Sequence, residues 1–328
     1  MFHSPPFTEI RLVRFQYSLR TLVWLTVIAA IATLGLHHWM SRTTVEDIVE
    51  ALNLAGAQPR VLDHWNGDAF FEQRVEVAHL SDESSCVGLR FDQIRSRDTL
   101  LAASYVKTAT DLRILDIAAD VSVRGCDFTH LTDLHLGGIT RQQLVDWLST
   151  TGKLEDLSLA DLDPMELDLS VIGNNPSLKY FRISKATITP EDLLSLSQLP
   201  NLEHISFYSC HVSDQAFAVL ADFPKLDSLE FYGDTYDDHT VEYLKHLTSI
   251  RSLDLTHYKV TDHGVKILSG MNHLESLSLY GCEQITSECV PHLIRMQFLE
   301  WLDVLGSTIE RDETLLNNSP ATLTEWIM

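Results

Sequence analysis

The sequence lacks the short motifs that mark the commonest catalytic and nucleotide-binding sites. It has no G-x-x-x-x-G-K-[ST] phosphate loop, no G-x-G-x-x-G turn, no G-x-S-x-G nucleophile elbow and no H-E-x-x-H zinc motif. Its 15 histidines are scattered, and a pair such as His257 and Asp254 is more typical of a solvated surface than of a metal site. We therefore expect no enzymatic activity, no cofactor and no bound metal.

Cysteine is scarce, and its spacing excludes two further classes of protein. The number of cysteines is odd, and no C-x-x-C pair occurs, so neither a disulfide framework nor a zinc site is predicted. Linkers rich in Pro, Gly or Ser are absent as well, whereas the hydrophobic content of 45% is ordinary for a folded chain. The five cysteines are Cys86, Cys126, Cys210, Cys282 and Cys289.

Basic residues are few relative to acidic ones. The 328 residues contain 24 Lys and Arg against 46 Asp and Glu, which gives a net charge of −22. The N-terminal 20 residues are the exception, because Arg11, Arg14 and Arg20 outnumber Glu9 there. An acidic body of this kind repels phosphate backbones and anionic lipid surfaces, so nucleic acid is not an expected partner.

One uncharged stretch near the N-terminus is long enough to span a bilayer. Residues 21–40 carry no formal charge, and Trp24 and Trp39 lie near its two ends, where interfacial aromatics are favoured. Arginines precede the stretch and acidic residues follow it, so the positive-inside rule predicts a single-pass protein with a cytoplasmic tail, residues 1–20, and the remaining chain outside. Residues 17–22 resemble an N-terminal anchor of exported bacterial proteins.

Two alternatives to the anchor remain open. Ala30 and Ala32 could form an A-x-A cleavage site, in which case residues 21–40 belong to a signal peptide that is removed after Ala32. The stretch could also be a buried helix of a soluble protein.

The strongest signal is a repeat with a period of 24 residues. Each unit fits L-x-x-L-x-L, with Ile or Phe sometimes replacing Leu, and we number its positions from the first Leu. One unit has a strand and a return helix and cannot bury its apolar side alone, so units stack into a continuous core. The sequence predicts an α/β leucine-rich repeat solenoid, a curved horseshoe with a parallel sheet on the concave face and helices on the convex face. The five regular units begin at Leu178, Leu202, Leu226, Ile250 and Leu274.

Looser units extend the repeat in both directions. We place four strands before the regular units, at 86–91, 112–117, 131–136 and 154–159, and two after them, at 299–304 and 323–328. The spacing of 19 residues between the units at 112 and 131 leaves no room for a helix. Residues 83–328 are thus the predicted repeat domain of eleven strands, and residues 41–82 are a predicted helix–strand N-terminal cap, since a bare solenoid end would expose core.

At the level of the unit, residues 253–273 (LDLTHYKVTDHGVKILSGMNH) resemble the leucine-rich repeats that contain cysteine, which occur in F-box substrate receptors and in some bacterial proteins with 24-residue repeats. Cys210 and Cys282 take the place of the family's C/N residue, three repeats apart and so too far from each other for a bridge. The resemblance implies a curved solenoid with a concave face that binds protein. No F-box-like segment precedes the repeats, so a ubiquitin-adaptor role is not implied. The Ser or Thr predicted to cap each return helix is Thr189, Ser213, Thr261 or Thr286.

Positions 3, 5 and 7 of each unit are predicted to point away from the core, onto the concave sheet. They place tyrosines beside an acidic row, and Tyr and Trp are enriched at binding hot spots. The surface would suit a basic or mixed-charge protein partner. Tyrosine is also a good strand residue on a solvated sheet, which is the alternative explanation. The candidate partner-binding residues are His204, Tyr208, Glu230, Tyr232, Asp254, Tyr280, Trp301 and Asp303.

The sequence thus predicts a membrane-anchored, exported protein that mediates protein–protein contact at a cell envelope. Two other functions are compatible with it. One is a structural envelope component without a discrete ligand, and the other is a sensor of a small ligand or glycan that uses the tyrosine face.

Overall fold

A computed structural model describes residues 59–62, 75–79, 86–106, 109–162, 168–233, 236–309, 323 and 325–327. The chain divides into two compact units, 1–43 and 44–328, and all the described residues lie in the second. The predicted tail 1–20, the predicted anchor 21–40 and the predicted helix at 43–54 fall outside the described residues. Within the described ranges, no helix is long and apolar enough to cross a bilayer.

Thirteen of the strands in the described residues form one sheet, in which neighbours along the chain are neighbours in space. From β3 to β15 every pair is parallel, so the predicted α/β repeat fold with a long parallel sheet is confirmed. The strands are β1 Pro59–Leu62, β2 Val75–His79, β3 Cys86–Phe91, β4 Asp111–Ile114, β5 Asp133–Gly137, β6 Asp156–Ala160, β7 Tyr180–Ser184, β9 His204–Tyr208, β11 Ser228–Tyr232, β12 Ser252–Thr256, β13 Ser276–Ser278, β14 Trp301–Asp303 and β15 Glu325–Ile327. A separate two-stranded sheet pairs β8 Thr187–Ile188 with β10 His211–Val212.

The N-terminal end of the sheet differs from a uniform parallel solenoid. Strand β2 lies within the predicted strand at 73–80, but it pairs with β3 in the antiparallel direction. Strand β1, which the sequence did not predict, then adds to β2 in parallel. An antiparallel neighbour at this end satisfies the backbone groups of β3 that no preceding repeat could pair.

The predicted register of the second repeat is wrong. Leu112 pairs with Leu89 of β3 and with Leu134 of β5, so it occupies position 4 of its unit and not position 1. The true spacings are therefore 23 residues (112 minus 89) and 22 residues (134 minus 112), in place of the irregular 26 and 19. Leu115, which the sequence placed in the core at position 4, lies at position 7 and is 39% exposed.

Return segments cover the opposite side of the sheet. In the described residues they include seven α-helices and three short 3-10 helices, and no helix lies between β4 and β5, as the short spacing predicted. The helices are α1 Arg97–Ser104, α2 Arg141–Thr150, α3 Pro190–Leu196, α4 Asp214–Val219, α5 Asp238–Leu244, α6 Asp262–Leu268 and α7 Val290–Leu293; the 3-10 helices are Leu169–Asn174, Leu220–Asp222 and Ser287–Cys289.

Three of the four predicted N-caps form. Thr189 makes a reciprocal capping box with Asp192, and the hydroxyls of Thr261 and Thr286 each accept a hydrogen bond from the backbone amide two residues on. Ser213 occupies the N-cap position of α4, but its hydroxyl makes no capping hydrogen bond, so that prediction is wrong.

The Thr-Asp step also links one repeat to the next. Asp238 at the start of α5 accepts hydrogen bonds from the amide and the hydroxyl of Thr261, at 2.9 and 2.6 Å. Asp262 does the same for Thr286, at 2.8 and 2.7 Å. Each carboxylate therefore orients the cap of the following helix, a role that the sequence analysis did not assign.

The cysteines at the C/N place are buried hydrogen-bond donors. The thiol of Cys210 donates to the carbonyl of Ile183 at 3.4 Å, and that of Cys282 donates to the carbonyl of Leu255 at 3.2 Å. Both are free, and burial raises the pKa of Cys282 to about 12. These thiols stay protonated and bind the preceding repeat, so they are structural groups and not nucleophiles.

A left-handed residue at position 8 ends the strand of eight successive units. It lies directly after position 7, so it turns the chain from the sheet toward the return segment. Glycine takes this conformation without strain, whereas other residues do so at a cost of about 1 kcal/mol. The position holds Gly138, Gly233, Gly281 and Gly306 in four units and Asp161, Lys185, Ser209 and His257 in the other four.

Candidate functional site

One side of the long sheet is free of helices. In β7, for example, Phe181 and Ile183 are fully buried beneath the return segments, whereas Tyr180, Arg182 and Ser184 are partly exposed on the other side. We call the surface formed by positions 3, 5 and 7 the open face. Because strands pair in register, side chains at one position form rows across the sheet, about 4.8 Å apart from strand to strand.

The centre of the open face holds a pair of parallel tyrosines. Tyr208 of β9 and Tyr232 of β11 are register partners, and their ring centroids lie 4.4 Å apart with the planes inclined by 2°. The hydroxyl of Tyr232 donates to a carboxylate oxygen of Asp254 at 3.2 Å. Partial burial is the main cause that raises the pKa of both tyrosines, and nearby carboxylates add to it, so both hydroxyls stay protonated.

Two carboxylates lie beside this pair on adjacent strands. Glu230 and Asp254 are register partners at position 5. Glu230 accepts a hydrogen bond from the Ser206 hydroxyl at 2.6 Å, and Asp254 accepts from the hydroxyl and the amide of Thr256 at 2.5 and 2.9 Å. Burial raises the pKa of Asp254, and the neighbouring Glu230 raises it further. All these partners are neutral donors.

The remaining predicted residues lie around this centre. His204 stacks on Tyr180 of the preceding strand, with centroids 4.4 Å apart, and that tyrosine was missing from the candidate set. Tyr280 is separated from the tyrosine pair by Thr256 of β12; it contacts His257 edge-on at 5.3 Å and is 39% exposed. The structure therefore brings Tyr208, Glu230, Tyr232 and Asp254 into one cluster. Trp301 and Asp303 lie on β14, two strands beyond Asp254.

Sequence reasoning missed a second polar group on the open face, between β4 and β7. Three carboxylates at position 3 face a row of basic side chains at position 5. Arg113 contacts Asp111 at 3.1 Å, and Arg182 donates to both oxygens of Asp156 at 2.7 and 2.6 Å. The register error at Leu112 hid this pattern, because it shifted Asp111 and Arg113 out of their rows. The network comprises Asp111, Asp133, Asp156, Arg113, His135 and Arg182.

Burial controls the protonation of this network. Desolvation raises the pKa of Asp111 to about 6, with further contributions from Asp133 and Asp156 that outweigh part of the opposing effect of Arg113. Desolvation lowers the pKa of His135 to about 3, and the two arginines lower it further. His135 is therefore neutral at pH 7, and its Nε2 lies 3.8 Å from Asp111.

The His135→Gln variant is expected to lose part of the acid sensitivity of the fold. The folded pKa of about 3 lies below the unfolded value near 6.5, so between these values only the unfolded chain binds the proton, and stability is lost as the pH falls. At pH 5 this costs wild type about 2 kcal/mol relative to pH 7. Denaturant unfolding at pH 7 and pH 5 measures it, and the stability of the variant relative to wild type should rise by about that amount at pH 5.

The raised pKa of Asp111 acts with the opposite sign, because protonation below about 6 favours the folded state. Only the difference between variant and wild type therefore isolates the histidine. His211→Gln is the matched control, since His211 is exposed, and it should follow wild type at both pH values. An unchanged pH dependence in His135→Gln would contradict the assignment.

Among the described residues, no group of three His, Cys, Asp or Glu side chains is arranged to hold a metal ion. The open face consequently offers hydrogen bonds, charge and aromatic surface. It shows no nucleophile activated by an adjacent base.

Solved structures share this architecture at low sequence identity. The structure of TLR13 in complex with ssRNA13 aligns with a TM-score of 0.50 and 17% identity over 74% of this chain and 38% of that chain. An internalin from Listeria monocytogenes gives 0.39 and 16% over 74% of this chain and 86% of its own. A protein from Bacteroides fragilis gives 0.45 and 16% over 72% and 69%. No protein-family model and no curated protein matches the sequence.

The fold is therefore that of a leucine-rich repeat solenoid, the class to which the internalin and the receptor also belong. At this identity the likeness concerns the fold alone.

Proposed function

We propose that this protein is a non-enzymatic interaction module that binds a partner protein on the open face of its sheet, which we take to be the concave side of the solenoid. One observation supports this most directly: the stacked Tyr208 and Tyr232 lie beside Glu230 and Asp254 on a surface that no helix covers. Leucine-rich repeat proteins are binding modules, and large rigid aromatic side chains are typical anchors of protein interfaces.

We further propose that the repeats are displayed outside the cytoplasmic membrane on a helix formed by residues 21–40. Support comes from the uncharged length of that stretch and from the three arginines before it. The chain would then be a bacterial envelope protein with 24-residue repeats of the cysteine-containing type, in which Cys210 and Cys282 bind the preceding repeat. The acidic open face disfavours a nucleic-acid partner.

Site-specific cross-linking in intact cells tests the proposal. A photoreactive phenylalanine derivative replaces either Tyr280 on the open face or Leu194 on helix α3, which are 39% and 47% exposed. We expect one saturable adduct with a partner protein from the first position and none from the second, because only the open face is proposed to bind. Mass spectrometry of the adduct identifies the partner.

The same cells provide the control for location. A protease that cannot cross the membrane should destroy the adduct from outside and leave a membrane-bound N-terminal fragment. Equal adducts from both positions would contradict a site on the open face, and protection of the repeats would contradict display outside the cell. Adducts with the mass of two copies of this chain would instead favour a structural envelope component.

A further inference from the structure

The two halves of the open face differ in how their carboxylates are neutralised. On β4 to β7, Arg113 and Arg182 are paired with Asp111 and Asp156 within the network already described. On β9 to β14, positions 3, 5 and 7 include three carboxylates and no Lys or Arg. The first half is internally compensated, whereas the second presents negative charge that only neutral groups solvate.

The hydrogen bonds of the second half leave acceptor capacity. Glu230 receives one hydroxyl donor, and Asp303 receives the amide of Leu305 at 2.9 Å. An ionised carboxylate can accept about four hydrogen bonds. The nearest arginine in the rows, Arg182, uses its Nη1 on both oxygens of Asp156, two strands away from Glu230.

The tyrosine pair adds a second, independent feature. In the position 7 row, the residue before Tyr208 is Ser184 and the residue after Tyr232 is Thr256. Both are small, so a ring-sized row neighbour covers only the inner face of each tyrosine. An outer ring face next to a carboxylate attracts a cation twice, through the ring quadrupole and through the charge.

We propose that the second half of the open face binds an extended cationic segment of a partner protein, with an Arg or Lys side chain against an outer ring face of the Tyr208–Tyr232 pair and reaching Glu230 or Asp254. This rests on the function proposed above and specifies its partner. The rows from β9 to β14 span four strand steps, roughly 19 Å, which is the length of about six extended residues. Asp303 at the far end of this span receives a second cationic side chain. Guanidinium suits the site better than ammonium because it is planar and can both stack and bind a carboxylate with two hydrogen bonds.

Fluorescence anisotropy with the full-length protein in an uncharged detergent tests this. The probes are labelled peptides of alternating Arg and Ser, of Lys and Ser, and of Glu and Ser, at physiological ionic strength. We expect binding to fall in that order, with none for the Glu peptide, and to weaken as salt is added. Glu230→Gln with Asp254→Asn should weaken the Arg peptide about tenfold or more, because it removes both central charges.

Two matched variants distinguish a site from a general attraction to an acidic protein. Asp222→Asn with Glu283→Gln removes the same charge from exposed positions off the open face and should leave the affinity within about twofold. Tyr208→Leu with Tyr232→Leu keeps the charge and removes the rings, and it should weaken the Arg peptide by roughly fivefold. Thermal unfolding of each variant verifies that it is folded.

Equal losses in the two charge variants, or equal binding of the Arg and Glu peptides, would overturn the cationic segment. The cross-linking experiment separates this from the proposed function. If the Tyr280 adduct persists in the Glu230→Gln, Asp254→Asn variant, the open face binds a protein but not through this cationic contact. If no adduct forms even in the wild-type background, the proposed function itself fails.

Discussion

Replacing Phe231 with alanine is expected to destabilise the protein by about 3–5 kcal/mol. Phe231 is fully buried in β11 and is the centre of an aromatic cluster in the core. Its ring centroid lies 5.2 Å from that of Phe207, 5.8 Å from Phe217, 5.5 Å from Tyr236 and 6.2 Å from Tyr258. Truncation removes the transfer free energy of the ring and leaves a cavity that rigid neighbours on both sides cannot fill.

The solenoid makes this loss visible in a particular way. Phe207 and Tyr258 lie in the repeats before and after β11, so Phe231 contributes to the interfaces that couple the units along the stack. Weakening one such interface in a chain of nearest-neighbour contacts can separate unfolding into two transitions. Denaturant unfolding monitored by circular dichroism would show a lower first midpoint and a broader overall transition than wild type.

Phe298→Ala is the matched control for this prediction. Phe298 is 59% exposed, so the same change in composition should alter the free energy of unfolding by no more than about 0.5 kcal/mol. A similar loss in both variants would mean that the effect does not come from burial in the aromatic cluster, and the assignment of Phe231 as its centre would be wrong.

The repeat fold could be predicted because its signal is local and redundant. Residues at positions 1, 4 and 6 of the regular units, such as Leu178, Phe181 and Ile183, are fully buried, and a wrong choice in one unit is corrected by the next. The second repeat shows the limit of the pattern. Leu112 and Leu115 both fit the spacing, and only strand pairing decides that Leu115 lies on the open face. The antiparallel β2 was beyond prediction because periodicity does not specify direction.

The candidate site was predictable only as rows. Register and alternation place Tyr208 beside Tyr232 and Glu230 beside Asp254, and these juxtapositions follow from a constant period. Sequence could not provide the rotamers that stack the two rings or that direct the Tyr232 hydroxyl to Asp254. It also gave no measure of burial, which decides that His135, a polar residue on the open face, is held neutral. These properties depend on the shapes of several neighbours at once.

Gly137→Ala is expected to destabilise the protein by about 2–3 kcal/mol, although it adds one methyl group. Gly137 is buried at position 7 of β5, and a Cβ there would lie 2.4 Å from the carbonyl oxygen of Leu115 and 3.1 Å from its carbonyl carbon. That carbonyl belongs to the backbone of the preceding repeat. The amide of Leu115 donates to Phe91 at 3.0 Å, so the segment cannot retreat without disturbing the sheet.

Gly173→Ala provides the opposite expectation from the same substitution. Gly173 lies in the 3-10 helix Leu169–Asn174, and the nearest atom to an added Cβ is the Ser195 carbonyl oxygen at 3.9 Å, an ordinary contact. Alanine should therefore leave stability unchanged or raise it by roughly 0.5–1 kcal/mol, because it restricts the unfolded chain. Thermal or urea unfolding of the two variants measures both effects. If Gly137→Ala were tolerated as well as Gly173→Ala, the close approach of β4 and β5 would be incorrect, and with it the register that brings Asp111 and His135 together.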